Sequence, residues 1–267
     1  MEGLIKGTHI STVIHSVETP QLIASCTILH PAQYNGYEHY HNNAHFSFVL
    51  YGGCREKKQT SYNRPPGSIT WYEAGERHQI SKVPAPSYHV NFELTDQFFS
   101  NYDINPASVA RALQQHPDVR CLMLKVFREL QLVDSDAIIS LQQLLLNIVS
   151  DTSRLLLPGI PAWVKTIKEI LRDRWHDTLT LEELSVLTGV HPVTISKYFP
   201  SYFSCTLGEY RRKLKINGAI ERMNQPFYTG TQLAYASGFA DESHFIRVFK
   251  KTTGLPPGHF KKEVLLR

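Results

Sequence analysis

The stretch Leu184-Ser-Val-Leu-Thr-Gly189-Val190 returns forty-nine residues later as Leu233-Ala-Tyr-Ala-Ser-Gly238-Phe239. One inserted residue then makes the offset fifty. Ile195 matches Phe245, Lys197 matches Arg247, Phe199 matches Phe249, and Tyr210-Arg211-Arg212 matches Phe260-Lys261-Lys262. One structural unit therefore occurs twice. Each copy reads as a helix, a sharp turn at a glycine suited to positive φ, and a second helix. Leu184, Leu187, Val190, Ile195 and Phe199 lie inward in the first copy; Leu233, Ala236, Phe239, Phe245 and Phe249 do so in the second. Pro192 suits a first helical turn and Asp241 suits a cap, so both second helices carry a start signal.

The outward positions of those second helices are small, polar or basic. They are Val193, Thr194, Ser196 and Lys197, then Glu242, Ser243, His244, Arg247, Lys250 and Lys251. This is the layout of a helix-turn-helix whose second helix enters a major groove. A packed helical pair with a solvated basic face has the same local pattern, and what separates the two is doubling and charge. Split at Pro158-Gly159-Ile160-Pro161, residues 1–158 hold 12 basic and 14 acidic side chains, a net of −2. Residues 159–267 hold 16 and 10, a net of +6. A doubled unit in the basic half favours a polyanion partner.

Thr206 to Met223 contains no proline and reads as one connecting helix, roughly 27 Å long at 1.5 Å per residue. It suits a strut that places two recognition helices in adjacent turns of double-stranded promoter DNA, with Arg211, Arg212, Lys213 and Lys215 as phosphate contacts.

The second copy carries a longer pattern: Ala234-x-x-x-Gly238-Phe239-x-x-x-Ser243-x-Phe245-x-x-x-Phe249-Lys250-Lys251-x-x-Gly254-x-x-Pro257-x-x-Phe260-Lys261. In it, residues 163–262 resemble the AraC/XylS family of bacterial transcription regulators. The resemblance implies a seven-helix DNA-binding domain behind an effector-sensing or dimerising N-terminal domain. It places base contacts on Val193, Thr194 and Lys197, and on Ser243, His244 and Arg247; Lys250 and Lys251 become phosphate partners. The first copy departs from the pattern at three positions. His191 replaces a capping Ser, Pro200 replaces a Lys and is expected to break helix hydrogen bonding, and Ser204 replaces a turn Gly.

The first ~95 residues read as β: His45–Leu50, Ser68–Tyr72 and Tyr88–Phe92 are aromatic and β-branched, with Gly and Pro turns between them. His39-x-His41, His45, Gly52-Gly53, Pro66-Gly67 and Gly75-x-x-His78 resemble the two motifs of cupin-like sensor domains. The expected fold is therefore α+β in two domains. Residues 1–158 form a cupin-like β-barrel with a helical pair (Asp118 to Leu132 and Asp136 to Leu157), and residues 159–267 form an all-α domain with two helix-turn-helix units. The apolar stripe through Leu141, Leu144, Leu145, Ile148, Val149 and Leu155 either covers the β-core or meets a second copy in a homodimer.

His39, His41, His45 and His78 are candidate ligands of a divalent metal such as zinc, iron, nickel or copper, with Glu56 the nearest acidic candidate. The same histidines alternatively line a pocket without metal. A small-molecule effector there would meet His41, Phe48, Trp71, Tyr72 and His78. The alternative function is a metal-dependent cupin enzyme tethered to a DNA-binding domain; a third is a helical scaffold for a protein partner.

A chain of 267 residues with 42% hydrophobic and 19% charged residues is globular, not disordered. No apolar run reaches the ~18 residues of a membrane span, and residues 1–26 lack the apolar core of a secretory signal. Four scattered cysteines, Cys26, Cys54, Cys121 and Cys205, fit buried thiols in a reducing cytoplasm. The reading is thus a cytoplasmic regulator with neither membrane partner nor catalytic residues.

Overall fold

The computed structural model describes residues 2–31, 36–132, 137–154, 160–223 and 228–265. Ten strands come first: β1 (Glu2–Leu4), β2 (Thr12–Glu18), β3 (Leu22–Leu29), β4 (His39–His41), β5 (Ala44–Tyr51), β6 (Cys54–Lys57), β7 (Ser61–Arg64), β8 (Ile69–Tyr72), β9 (Gln79–Lys82) and β10 (Ser87–Leu94). Helices follow: α1 (Asp96–Tyr102), α2 (Pro106–Gln115), α3 (Val119–Leu132), α4 (Ala137–Arg154), α5 (Ala162–Asp173), α6 (Leu181–Thr188), α7 (Pro192–Phe203), α8 (Leu207–Arg222), α9 (Gly230–Ala236), α10 (Glu242–Thr253) and α11 (Pro257–Leu265).

The strands form a five-stranded sheet in the order β2-β3-β10-β5-β8, a three-stranded sheet β7-β6-β9, and the pair β1-β4. An isolated bridge from His39 to His78 ties the pair to the loop before β9. The expected single barrel is thus corrected: among the described residues the strands do not join into one closed sheet.

The large sheet is buried on both faces, because its side chains alternate with period two. Leu22, Ala24, Cys26 and Ile28 of β3 share one face with Phe46, Phe48 and Leu50 of β5 and Val90, Phe92 and Leu94 of β10. Helices α2, α3 and α4 cover that apolar face with Val109, Leu113, Met123, Phe127, Leu130, Leu141 and Leu145. The other face carries Ser25, Thr27, His45, Ser47, Ser87, His89 and Glu93, all buried. Polar groups there need partners: Ser47 Oγ and His89 Nδ1 meet at 3.2 Å, and the Glu93 carboxylate accepts from Asn43 at 2.7 Å and from the Gly7 N–H at 2.9 Å. The Arg64 guanidinium donates to the Ser47 carbonyl at 2.9 Å and to the Tyr72 hydroxyl at 2.8 Å.

The stripe on α4 settles on its own chain: Leu141, Leu145, Ile148 and Val149 are buried in this core, while Ile139 stays exposed. Leu155 and the division at Pro158-Gly159 lie outside the described residues.

The two repeats are built alike but seated differently. The first closes its own cluster from Val164, Ile167, Leu171, Leu184, Ile195, Phe199 and Tyr210. The second shares the sheet's core through Ile216, Ala219, Phe239, Phe245, Phe249 and Phe260. The Phe127 and Phe260 rings meet edge to face at 6.2 Å, Lys213 pairs with Asp118 at 2.6 Å, and Arg120 pairs with Glu221. Helix α3 is therefore the bridge between the sheet and the second unit.

Helix α7 continues through Pro200, which corrects the expected break: Pro200 lacks only its own N–H, and its carbonyl accepts the Ser204 N–H at 3.0 Å. Ser204 closes this helix with φ +55, where the second repeat has Gly254 at φ +89. A side chain in that left-handed region carries strain that glycine lacks. Ser204→Gly should therefore raise the unfolding free energy by about 0.5–1 kcal/mol, read from chemical denaturation; a lower stability would contradict this.

Candidate nucleic-acid interface and buried histidine cluster

Each unit is assembled by local signals. Thr180 and Thr229 form capping boxes with Glu183 and Gln232 at the starts of α6 and α9. Gly189 and Gly238 then turn the chain at φ +68 and +76. The second helices are capped unequally. The Asp241 carboxylate accepts the His244 N–H at 2.7 Å, whereas His191 Nδ1 accepts the Val193 N–H at 3.3 Å. The charged cap is the stronger one.

In α10, Phe245 and Phe249 face the core, leaving Ser243, His244, Arg247, Lys250 and Lys251 exposed. In α7, Ile195 and Phe199 are buried, Val193, Ser196 and Lys197 are exposed, and Thr194 is half-buried. Lys197 Nζ lies 5.2 Å from the Tyr198 ring. Among the described residues, no carboxylate pairs with Lys197, Arg247, Lys250 or Lys251. The Glu242 carboxylate, by contrast, accepts the Thr231 hydroxyl and ties α10 to α9.

The connecting helix α8 spans the expected residues, but most of its cations are already engaged. Arg211 donates to the carbonyls of Leu179 at 2.7 Å and Asp177 at 3.2 Å. Lys215 donates to the Gly238 carbonyl at 2.5 Å, and Lys213 holds Asp118. The phosphate role expected of Arg211 is corrected accordingly: both arms of its guanidinium brace the chain before α6. Arg212 alone of this basic run is exposed.

In the β-half, His39, His41 and His78 converge. They are buried, and one ring nitrogen from each lies within 4.8 Å of the others. His39 Nδ1 donates to the Tyr37 carbonyl at 3.4 Å and His78 Nδ1 to the Glu76 carbonyl at 3.0 Å. A carbonyl only accepts, so both rings keep the Nε2 lone pair. Burial first, and then the neighbouring imidazoles, pushes His41 down to about 3; burial and His39 push His78 down to about 3. All three rings are neutral near pH 7, the form that ligates metals. His45 does not join the mutually close set. It stacks on Tyr72 at 4.2 Å, and its assignment as a ligand is corrected. Glu56 is engaged elsewhere: its carboxylate accepts from Arg64 at 3.1 Å and from the Tyr72 hydroxyl at 2.8 Å.

The cavity around these histidines measures about 60 Å³ and is lined by His41, Tyr72 and His78 but not by Phe48 or Trp71. Phe48 lies three residues from His45 and so on the helix-covered face. Trp71 adjoins Tyr72 and packs on that same apolar core. Both are removed from the expected effector pocket by strand parity.

Two helix-turn-helix units on one connecting helix, each with an exposed basic second helix, define a bipartite DNA-binding domain. Residues 184–263 match the family model described as a helix-turn-helix domain. The matched segment is similar to the helix-turn-helix portions of bacterial transcription regulators. The chain is 29% identical over 100 residues to the "Bifunctional transcriptional activator/DNA repair enzyme AdaA" of Bacillus subtilis, covering 38% of this chain and 47% of that protein. It thus spans less than half of that relative. It is 21% identical over 214 residues, 74% of each chain, to the "Uncharacterized HTH-type transcriptional regulator YijO" of Escherichia coli. The crystal structure of ToxT from Vibrio cholerae O395 overlaps 91% of this chain and 97% of its own at 15% identity and a TM-score of 0.37. No helix among the described residues is long and apolar enough to cross a membrane.

Proposed function

We propose that this chain regulates transcription by binding promoter DNA sequence-specifically through both helix-turn-helix units. The observation that carries the reading is the pair of exposed recognition faces, each with a cation that no carboxylate neutralises among the described residues. Arg247 reads guanine through two parallel hydrogen bonds, and Ser243, His244, Val193, Thr194, Ser196 and Lys197 shape the neighbouring contacts. Lys250, Lys251 and Arg212 hold phosphates. Specific affinity for a selected DNA site should fall about 5–150-fold in Arg247→Ala, equivalent to about 1–3 kcal/mol, with little change in sequence-blind binding. Equal affinity in a fluorescence-anisotropy titration sinks this contact.

The β-half is proposed to hold a divalent transition metal on His39, His41 and His78. The supporting observation is the donor set: three buried neutral imidazoles, two with Nε2 presented. About 60 Å³ has room for an ion and a water. Reconstituted and dialysed protein should carry close to one zinc per chain by mass spectrometry, and His41→Gln much less. Equal zinc in both contradicts the assignment.

A further inference from the structure

A cavity lies between the halves, lined by residues of both. It measures about 730 Å³, against about 60 Å³ for the histidine pocket. That is the size range of sites for small organic ligands. Its apolar walls come from both sides: Leu113 and Val119 from α2 and α3, and Leu214 and Trp175 from the C-terminal half.

Three of its cations come from one helix. Lys165, Lys168 and Arg172 recur at three- and four-residue spacing, so α5 turns them to one side, toward the cavity. Two carboxylates, Glu169 and Glu221, also reach the lining. Glu221 is taken by Arg120, whose Nε donates to the Gly67 carbonyl at 2.8 Å. Among the described residues no carboxylate is paired with Lys165 or Lys168. Lys168 is half-buried and donates to the Gln115 side-chain oxygen at 3.4 Å.

We propose that this cavity binds a small organic anion, a carboxylate or sulfonate on an apolar body about the size of a fused ring pair, with Lys168 taking the charge and Leu113, Val119, Leu214 and Trp175 the body. Burial lowers the Lys168 pKa, Arg172 adds to the effect and Glu169 opposes it, so a further anion beside Lys168 favours its charged form. Because the walls belong to both halves, an occupant favours the arrangement in which α3 holds the second helix-turn-helix unit. It therefore biases DNA binding in proportion to its preference for that arrangement. This coupling rests on the DNA-binding reading; the ligand site itself does not.

The test is a titration of the full chain with 8-anilinonaphthalene-1-sulfonate, followed by fluorescence. The wild type should show one saturable site per chain. Lys168→Gln should weaken it at least tenfold, and the uncharged parent N-phenyl-1-naphthylamine should bind at least tenfold more weakly than the sulfonate. Leu214→Trp, which fills the cavity from a half-buried position, should abolish the site, and both variants should keep a single cooperative melt. Unaltered binding by folded Lys168→Gln, or binding at many weak sites, overturns the proposal. The same samples are then titrated with DNA. A DNA affinity that ignores saturating probe overturns the coupling and leaves the site. Absence of DNA binding beside a normal probe titration overturns the DNA-binding reading and also leaves the site.

Discussion

Replacing Glu56 with leucine is expected to lower the unfolding free energy by about 3–5 kcal/mol, the usual effect of stripping one partner from a buried ion pair. Glu56 is fully buried and Arg64 is 3% exposed. The pair lies between the two sheets, where water cannot replace a lost charge. In the native chain the two terminal nitrogens of the guanidinium donate to Glu56, the Tyr72 hydroxyl and the Ser47 carbonyl, while its Nε is buried without a partner among the described residues. Without the carboxylate, the guanidinium stays buried and uncompensated, and Tyr72 loses the acceptor of its own hydroxyl. Removing both charges in Glu56→Leu/Arg64→Met should recover much of the loss, since an apolar pair of similar volume needs no desolvation of charge. Urea denaturation of the three proteins decides it. A single variant within about 1 kcal/mol of wild type would mean that water reaches the pair.

Truncating the matched phenylalanines of the two repeats should produce effects of equal size and different form. Phe199 and Phe249 occupy equivalent positions and are both fully buried, so either change to alanine removes about 3–5 kcal/mol of packing. Phe199 belongs to a cluster confined to the first unit and its neighbours, whereas Phe249 belongs to the core that also holds the large sheet. Phe199→Ala should let the first unit open by itself, seen as an early second transition in a calorimetric melt with amide exchange confined to residues 162–210. Phe249→Ala should instead shift the main transition downward as a whole. Identical single transitions for both variants would show that the clusters are energetically one.

The repeat was legible because its signals are local. A glycine at a fixed place in both copies, inward residues at helical spacing, and a start signal at Pro192 or Asp241 need no tertiary context. The same holds for the cap at Asn105 followed by Pro106, which starts α2 and escaped the sequence reading. Other features were hidden because they depend on packing. Phe48 and Trp71 look like pocket residues until the strand faces are assigned, and parity then sends them to the helix side. Arg211, Lys213 and Lys215 look like phosphate contacts because charge alone does not reveal an internal carbonyl or Asp118 as the partner. The convergence of His39, His41 and His78 was visible in the motif spacing, while the exclusion of His45 came from its stacking on Tyr72. The cavity between the halves has no sequence signature, because its walls come from α2, α3, α5 and α8.

Both helix-turn-helix units are proposed to bind one face of double-stranded DNA in successive major grooves. Hydroxyl-radical footprinting on a site selected from random DNA tests it most directly. Two protected patches about ten base pairs apart are expected on the same face, with Arg247→Ala erasing base discrimination in one patch only. A single patch, or protection that vanishes uniformly with modest salt and ignores sequence, would contradict it.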